Sequence, residues 1–158
     1  MPKKILAVCV LHQNINNISG VIQFSQNLET GQVKIAYEII GLSDGKHGFH
    51  IHKYGDLTDG CSSACAHFNP YNKTHGGRNS AERHVGDLGN LVSKHGVCKG
   101  YFYDKLISLN VKKKCSIIGR SVIIHDKRDD LGKGGNKESL KTGNAGTRLA
   151  CGVIGLCG

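Results

Sequence analysis

Apolar residues along this chain come in short runs of strand length, separated by turn residues. The runs that read as strands are Lys4–Leu11, 21–26, 33–41, 48–52, 87–92, 96–109, 116–125 and 148–154. Between them stand turn signals such as Glu29-Thr30-Gly31 and Leu42-Ser43-Asp44-Gly45. No window of helical length, about 12 residues, sustains a 3.6-residue apolar period, so long helices are not expected. Eight strands in 158 residues predict an all-β fold, a closed barrel or sandwich, forming one domain over residues 1–158. Two stretches break the strand rhythm. Residues 53–86 are rich in Gly, Asn, Ser and His, and residues 126–146 are rich in Gly and charge. Loops of that length inside a compact domain are usually functional or disordered.

Composition sharpens this picture. The 22 glycines suit a fold with many turns. A net charge of +9 invites nucleic acid, an anionic membrane or a small anion as partner. The basic residues are scattered, and the densest run, Lys112-Lys113-Lys114, reads as a solvated turn. Aromatics do not interleave with them, so no base-stacking platform is expected and no nucleic acid. No window is long and apolar enough to span a bilayer, so no membrane partner is expected either. The first eleven residues only faintly resemble a signal peptide. Their apolar part is short and runs into Gln and Asn without a cleavage site, so they read as a first strand of a cytoplasmic protein. Seven cysteines leave at least one thiol unpaired, and in that compartment most should be reduced.

The histidines give the long loops a purpose. His50 and His52 are two apart on a strand and therefore face the same side. His67, His75, His84 and Asp87 follow in the first loop, and His125 ends an apolar run at the mouth of the second. Imidazole suits copper and zinc, and an Asp oxygen is an ordinary zinc ligand. Two four-coordinate ions need eight ligand bonds, whereas these residues offer seven side chains. One histidine binding through both ring nitrogens supplies the eighth. His67, placed between the strand pair and the remaining loop ligands, is the one singled out, and an imidazole so bound must lose its N–H. His12, His47 and His95 are assigned no chemistry; His47 reads as a packed, hydrogen-bonded residue.

Over nearly its whole length the chain resembles the copper/zinc superoxide dismutase family. Two motifs carry the resemblance: Gly48-Phe49-His50-Ile51-His52-Lys53-Tyr54-Gly55-Asp56 and Gly143-Asn144-Ala145-Gly146-Thr147-Arg148-Leu149-Ala150-Cys151-Gly152-Val153-Ile154. Between them lie His67-Phe68-Asn69-Pro70, His75-Gly76-Gly77, the 82–90 stretch and the 129–136 stretch. The resemblance implies an eight-stranded Greek-key β-barrel, a flattened sandwich with two long functional loops, that forms a homodimer and dismutates superoxide. It implies copper at His50, His52, His67 and His125, and zinc at His67, His75, His84 and Asp87. Asp129 matches the carboxylate that links His50 to His75, and Arg148 the arginine that docks the anion beside copper. Arg148 and His67 are thus the expected catalytic residues. Cys61 and Cys151 match the family's disulfide, although Cys65, four residues from Cys61 where relatives carry Gly, could compete for Cys151. Lys137 and Lys141, with Lys133, are expected to steer the anion, and relatives commonly carry an acid where Lys137 stands. Prolines near the second disulfide cysteine accompany dependence on a copper chaperone in this family. Residues 146–151 hold none, which predicts at least partial activation without it.

Three rival readings fit less well. In a copper chaperone a separate thiol-based domain is usual, yet strand signals begin here at residue 4 and all four copper ligands are present. A storage or structural zinc protein has no use for Arg148. A nucleic-acid module leaves seven spaced ligands without a role.

Overall fold

The computed structural model describes residues 4–11, 13–14 and 17–158; His12 lies outside them. The strands are β1 (Lys4–Leu11), β2 (Gln13–Asn14), β3 (Ser19–Asn27), β4 (Val33–Ile40), β5 (Gly45–His52), β6 (Thr58–Cys61), β7 (Asp87–Ser93), β8 (Val97–Asp104), β9 (Ser121–His125) and β10 (Arg148–Cys157). Eight of them form one antiparallel sheet in the order β7-β5-β9-β10-β1-β3-β4-β8, and β2 adds to β10. A tight turn with a Lys94–Val97 bridge joins the two ends of that order, so the sheet curls into a nearly closed barrel. Pairs such as β4·β8 and β5·β9 join strands distant in sequence, the signature of Greek-key connections. No helix among the described residues is long and apolar enough to cross a membrane.

The barrel has two kinds of wall. In β3 every second residue is buried: Ile22 and Phe24 enter the core while Val21, Gln23 and Ser25 face out. This is the ordinary alternation of a half-solvated antiparallel strand. In β9 all five residues are buried, and in β5 all from His47 onward. Phe49, Ile51 and Ile124 fill the barrel core, so His50, His52 and His125 lie on the opposite face, beneath the two long loops. A smaller cluster of Ala64, Ile123 and Cys151, with Leu57 and Cys61 against it, packs the first loop onto that outer face. The Cys61–Cys151 disulfide closes it, with 5.8 Å between Cα atoms across 90 residues. In the chain-entropy view a loop of that length contributes about 4–5 kcal/mol.

Four details differ from the sequence reading. The expected 96–109 strand stops at Asp104, whose Oδ1 accepts the N–H groups of Leu106 and Ile107 and turns the chain. Its other oxygen takes a buried ion pair from Arg83 at 2.7 Å. The expected 116–125 strand begins only at Ser121, because Gly119 (φ +78°) and the Arg120 N–H to Ile117 O bond make a turn before it. The first loop contains β6 and a 3-10 turn at Ser62–Ala64, and the second a single helical turn at Ser139–Thr142. Such one-turn elements leave no periodic trace in a sequence.

Candidate metal centre

Strand alternation sets His50 and His52 on one face of β5, and β9 brings His125 beside them. His67 arrives from the first loop because its segment pairs with the end of β5: His52 and His67 form a bridge, and Phe68 N–H donates to Ile51 O at 2.8 Å. Ile51 N–H in turn donates to Gly86 O. A Cβ at Gly86 would collide with the Ile51 carbonyl, so only glycine allows this approach.

Two groups of ligand atoms result. His50, His52, His67 and His125 form one, and His67, His75, His84 and Asp87 the other; all seven residues are buried. In the second group Asp87 Oδ1 lies 2.8 Å from His67 Nδ1, 2.9 Å from His75 Nδ1 and 3.1 Å from His84 Nδ1. His84 Nδ1 and His67 Nδ1 are 3.3 Å apart. A tetrahedral ion with bonds of about 2.0–2.1 Å has ligand–ligand edges of roughly 3.3 Å, so this cluster fits one such ion after small outward shifts. In the first group His50 Nδ1, His52 Nε2, His67 Nε2 and His125 Nε2 are buried with no hydrogen-bond partner among the described residues. Buried polar atoms without partners are rare, and four convergent ones are what a metal site requires.

The opposite ring nitrogens of His50, His52, His75 and His125 are directed by acceptors. His52 Nδ1 donates to Cys65 O at 2.8 Å and His125 Nδ1 to Gly146 O at 3.0 Å. Asp129 takes His50 Nε2 at 2.7 Å and His75 Nε2 at 2.8 Å, one on each oxygen. Such partners fix which nitrogen faces the ion. His67 differs, because one of its nitrogens lies in each group. Asp129 is itself held by Asn90, which donates to its carbonyl at 2.9 Å and accepts its N–H at 2.7 Å. A Cβ at Gly143 (φ +68°) would strike the Asp129 carboxylate. Asn90 had no role in the sequence reading, and a single Asn after a turn glycine carries no signal of one.

Burial, then the neighbouring His67, pushes His50 and His52 well below the usual imidazole range. Burial likewise takes His125 down to about 4. His75 is buried too, but its bonds to Asp129 and Asp87 outweigh that and raise it to about 9. Burial pushes the Asp87 carboxyl up, yet hydrogen bonds from His67, His75 and His84 together hold it far below the usual carboxylate range.

A cleft of about 800 Å³ opens over the first group, lined by His52, His67, His125 and Arg148. Strand register explains the arginine: Arg148 is the β10 partner of His125. Its guanidinium is pinned by loop carbonyls, Nη1 to Cys61 O at 2.7 Å and Nη2 to Cys65 O at 2.6 Å. The disulfide that ties Cys61 to β10 therefore also holds the acceptors that aim Arg148. Cys65 remains an exposed thiol with φ +68°. Lys141 lines the cleft, and so do Lys127 and Lys73, which the sequence did not single out. Lys137, for which steering was expected, does not itself line the cleft although its neighbour Glu138 does; it is exposed, just ahead of the one-turn helix that faces the cleft. Lys133 lines a separate groove. His47 is buried, donating from Nδ1 to His125 O at 2.7 Å, and His95 sits with φ +53° in the β7–β8 turn.

Comparison with known proteins agrees with this geometry. The family described as copper/zinc superoxide dismutase matches residues 18–154. Superoxide dismutase [Cu-Zn] A of Xenopus laevis is 57% identical over 96% of this chain and 97% of its own length. The Saccharomyces cerevisiae superoxide dismutase [Cu-Zn] is 53% identical, covering 95% of this chain and 97% of its own. The enzyme of that name in Paramecium bursaria Chlorella virus 1 is also 53% identical, over 97% of this chain and 79% of its own.

Proposed function

The chain belongs to the copper/zinc superoxide dismutase family, and from that premise we propose how its residues convert two superoxide anions and two protons into dioxygen and hydrogen peroxide. His50, His52, His67 and His125 would hold copper, and His67, His75, His84 and Asp87 would hold zinc. One observation carries the assignment: His67 has Nδ1 in the oxygen-containing group and Nε2 in the all-imidazole group. The carboxylate suits zinc, and four imidazoles suit copper. Copper supplies a one-electron couple, and zinc, which has no redox chemistry, supplies a fixed positive charge.

The protein's own groups do the rest. Arg148 docks the anion at the cleft floor; its charge persists at any working pH, although burial lowers its pKa. His67 carries no proton while both nitrogens are bound. With Nε2 free, the ring would hold a proton there and could hand it to superoxide, with Nδ1 keeping the ring in place. Asp129 holds the rings of His50 and His75 in register. One core cluster, with members in both β1 and β10, supports reading the chain as a single domain.

Lys141, Lys127 and Lys73 line the approach and support electrostatic steering. Lys73 is partly neutralised by Glu82 at 3.4 Å, so Lys141 and Lys127 dominate. The rate should fall as salt rises, because screening acts over about 8–10 Å. Lys141→Glu should lower the low-salt rate about 2–10-fold and flatten that slope. Lys137→Glu and Lys112→Glu should change little. Pulse radiolysis across a salt series measures this; equal slopes for wild type and Lys141→Glu would leave attraction to Arg148 and Lys127.

A cytoplasmic homodimer completes the reading. Five of the seven cysteines are unpaired, as in a reducing compartment. Exposed Tyr54 and Val153 flank Gly55, an apolar patch suited to a second copy. The proline-free 146–151 stretch supports activation without the copper chaperone. Expressed with added copper in cells lacking that chaperone, the enzyme should be active and elute at about twice the chain mass. Inactive, disulfide-reduced protein would refute the first expectation and a monomer the second.

A further inference from the structure

On the outer face of β5 and β7, away from the metal cleft, the two long loops meet over a groove of about 530 Å³. Its floor is strand: Lys46 of β5 pairs with Val92 of β7, and Asn90 lies two residues along on the same face. The first loop contributes Arg78, Asn79 and Ser80, and the second contributes Lys133. Among the described residues three cations line the groove and no acidic side chain does. None of the three has a carboxylate within ion-pair distance among the described residues.

Arg78 makes this more than a chance meeting of surface lysines. Its guanidinium is stacked on Phe102, 3.4 Å from the ring centroid, and is fixed by Nε and Nη2 bonds to Leu88 O at 3.0 and 2.9 Å. Nη2 also reaches Asn90 O at 3.5 Å, while Nη1 has no acceptor among the described residues. A half-buried guanidinium held this rigidly, with amide and hydroxyl groups beside it and lysines on two other elements, has the donor pattern that recognises a tetrahedral oxyanion.

We propose that this groove is an anion site for a phosphoryl group, in which Lys46 of the barrel, Arg78 of the first loop and Lys133 of the second close on one phosphate. Such an anion would link three separate elements around Asn90, the residue that grips both backbone groups of Asp129. The site is independent of the catalytic cleft, whose lining shares no residue with it. The phosphate can be free or carried on a larger metabolite.

The test uses the copper(I), zinc holoenzyme, which is diamagnetic, followed by amide NMR at constant ionic strength. Inorganic phosphate is titrated in one arm and ADP in another. The amides of Asn79, Ser80, Gly89, Asn90 and Lys133 are expected to shift together on one saturating curve. Lys46 and Lys133 are exposed, so Lys46→Ala/Lys133→Ala should fold normally while weakening that binding about tenfold or more. Tighter binding of ADP than of phosphate assigns the groove to a phosphorylated metabolite, and equal binding assigns it to free phosphate. Shifts confined to the cleft around Arg148 and Lys141, shifts that never saturate, or an unchanged curve in the double variant would each overturn the proposal.

Discussion

His67→Ala is expected to cost the enzyme both metals and at least about 100-fold in activity. Among the described residues the ring is the only side chain with an atom in each of these two ligand groups, so its removal leaves three ligands at both sites. Losing a mere orienting partner weakens metal affinity by about 10–100-fold, and losing a ligand should do at least as much. The same change deletes the proposed proton donor, a role worth about 10²–10⁴-fold in general acid catalysis. His75→Ala separates the two effects. It removes a ligand from the zinc group alone, so zinc should fall while copper stays largely bound. Elemental analysis of the two purified variants reads this directly. Full occupancy of both metals in His67→Ala would refute the shared-ligand arrangement.

Arg148→Glu is expected to lower the superoxide rate about 10–100-fold while leaving both metals in place. A charge-assisted contact is worth about 1.5–3 kcal/mol, which corresponds to that range. Arg148 supplies no ligand atom to either group, so occupancy should not follow activity. Arg148→Lys distinguishes charge from geometry. It keeps the positive charge but cannot hold the Cys61 and Cys65 carbonyls with a rigid fork. An intermediate rate is expected, with a salt slope close to wild type. Pulse radiolysis with parallel metal analysis checks both variants. A wild-type rate in Arg148→Glu would remove the arginine from the mechanism.

The strands and the set of candidate ligands were legible in the sequence for a physical reason, whereas the division of those ligands into two groups came from the family resemblance. His50 and His52 sit at a two-residue spacing that a strand converts into one face, and Phe49 and Ile51 between them mark the core side. The loops were legible as loops because their composition cannot form a periodic element. What the sequence hid lies in backbone atoms and in distant pairings. The acceptors that aim Arg148 and His52 are carbonyls of Cys61 and Cys65, and any residue type could supply them. The Asn90–Asp129 clasp joins residues 39 positions apart. Lys137 and Lys141 look equivalent as charges in one loop, yet the one-turn helix at Ser139–Thr142 presents only the second to the cleft. Lys127 and Lys73 reach that cleft from two different loops, a convergence with no local signature.

The most direct test of the account is anomalous diffraction from crystals of the oxidised wild-type enzyme, recorded at the copper and zinc absorption edges. The account predicts two separate peaks per chain. The copper peak should lie at bonding distance from His67 Nε2 and the zinc peak at bonding distance from His67 Nδ1, with Asp87 on the zinc side alone. A single shared ion, two ions of one metal in freshly loaded protein, or a His67 ring bonded on only one side would contradict it.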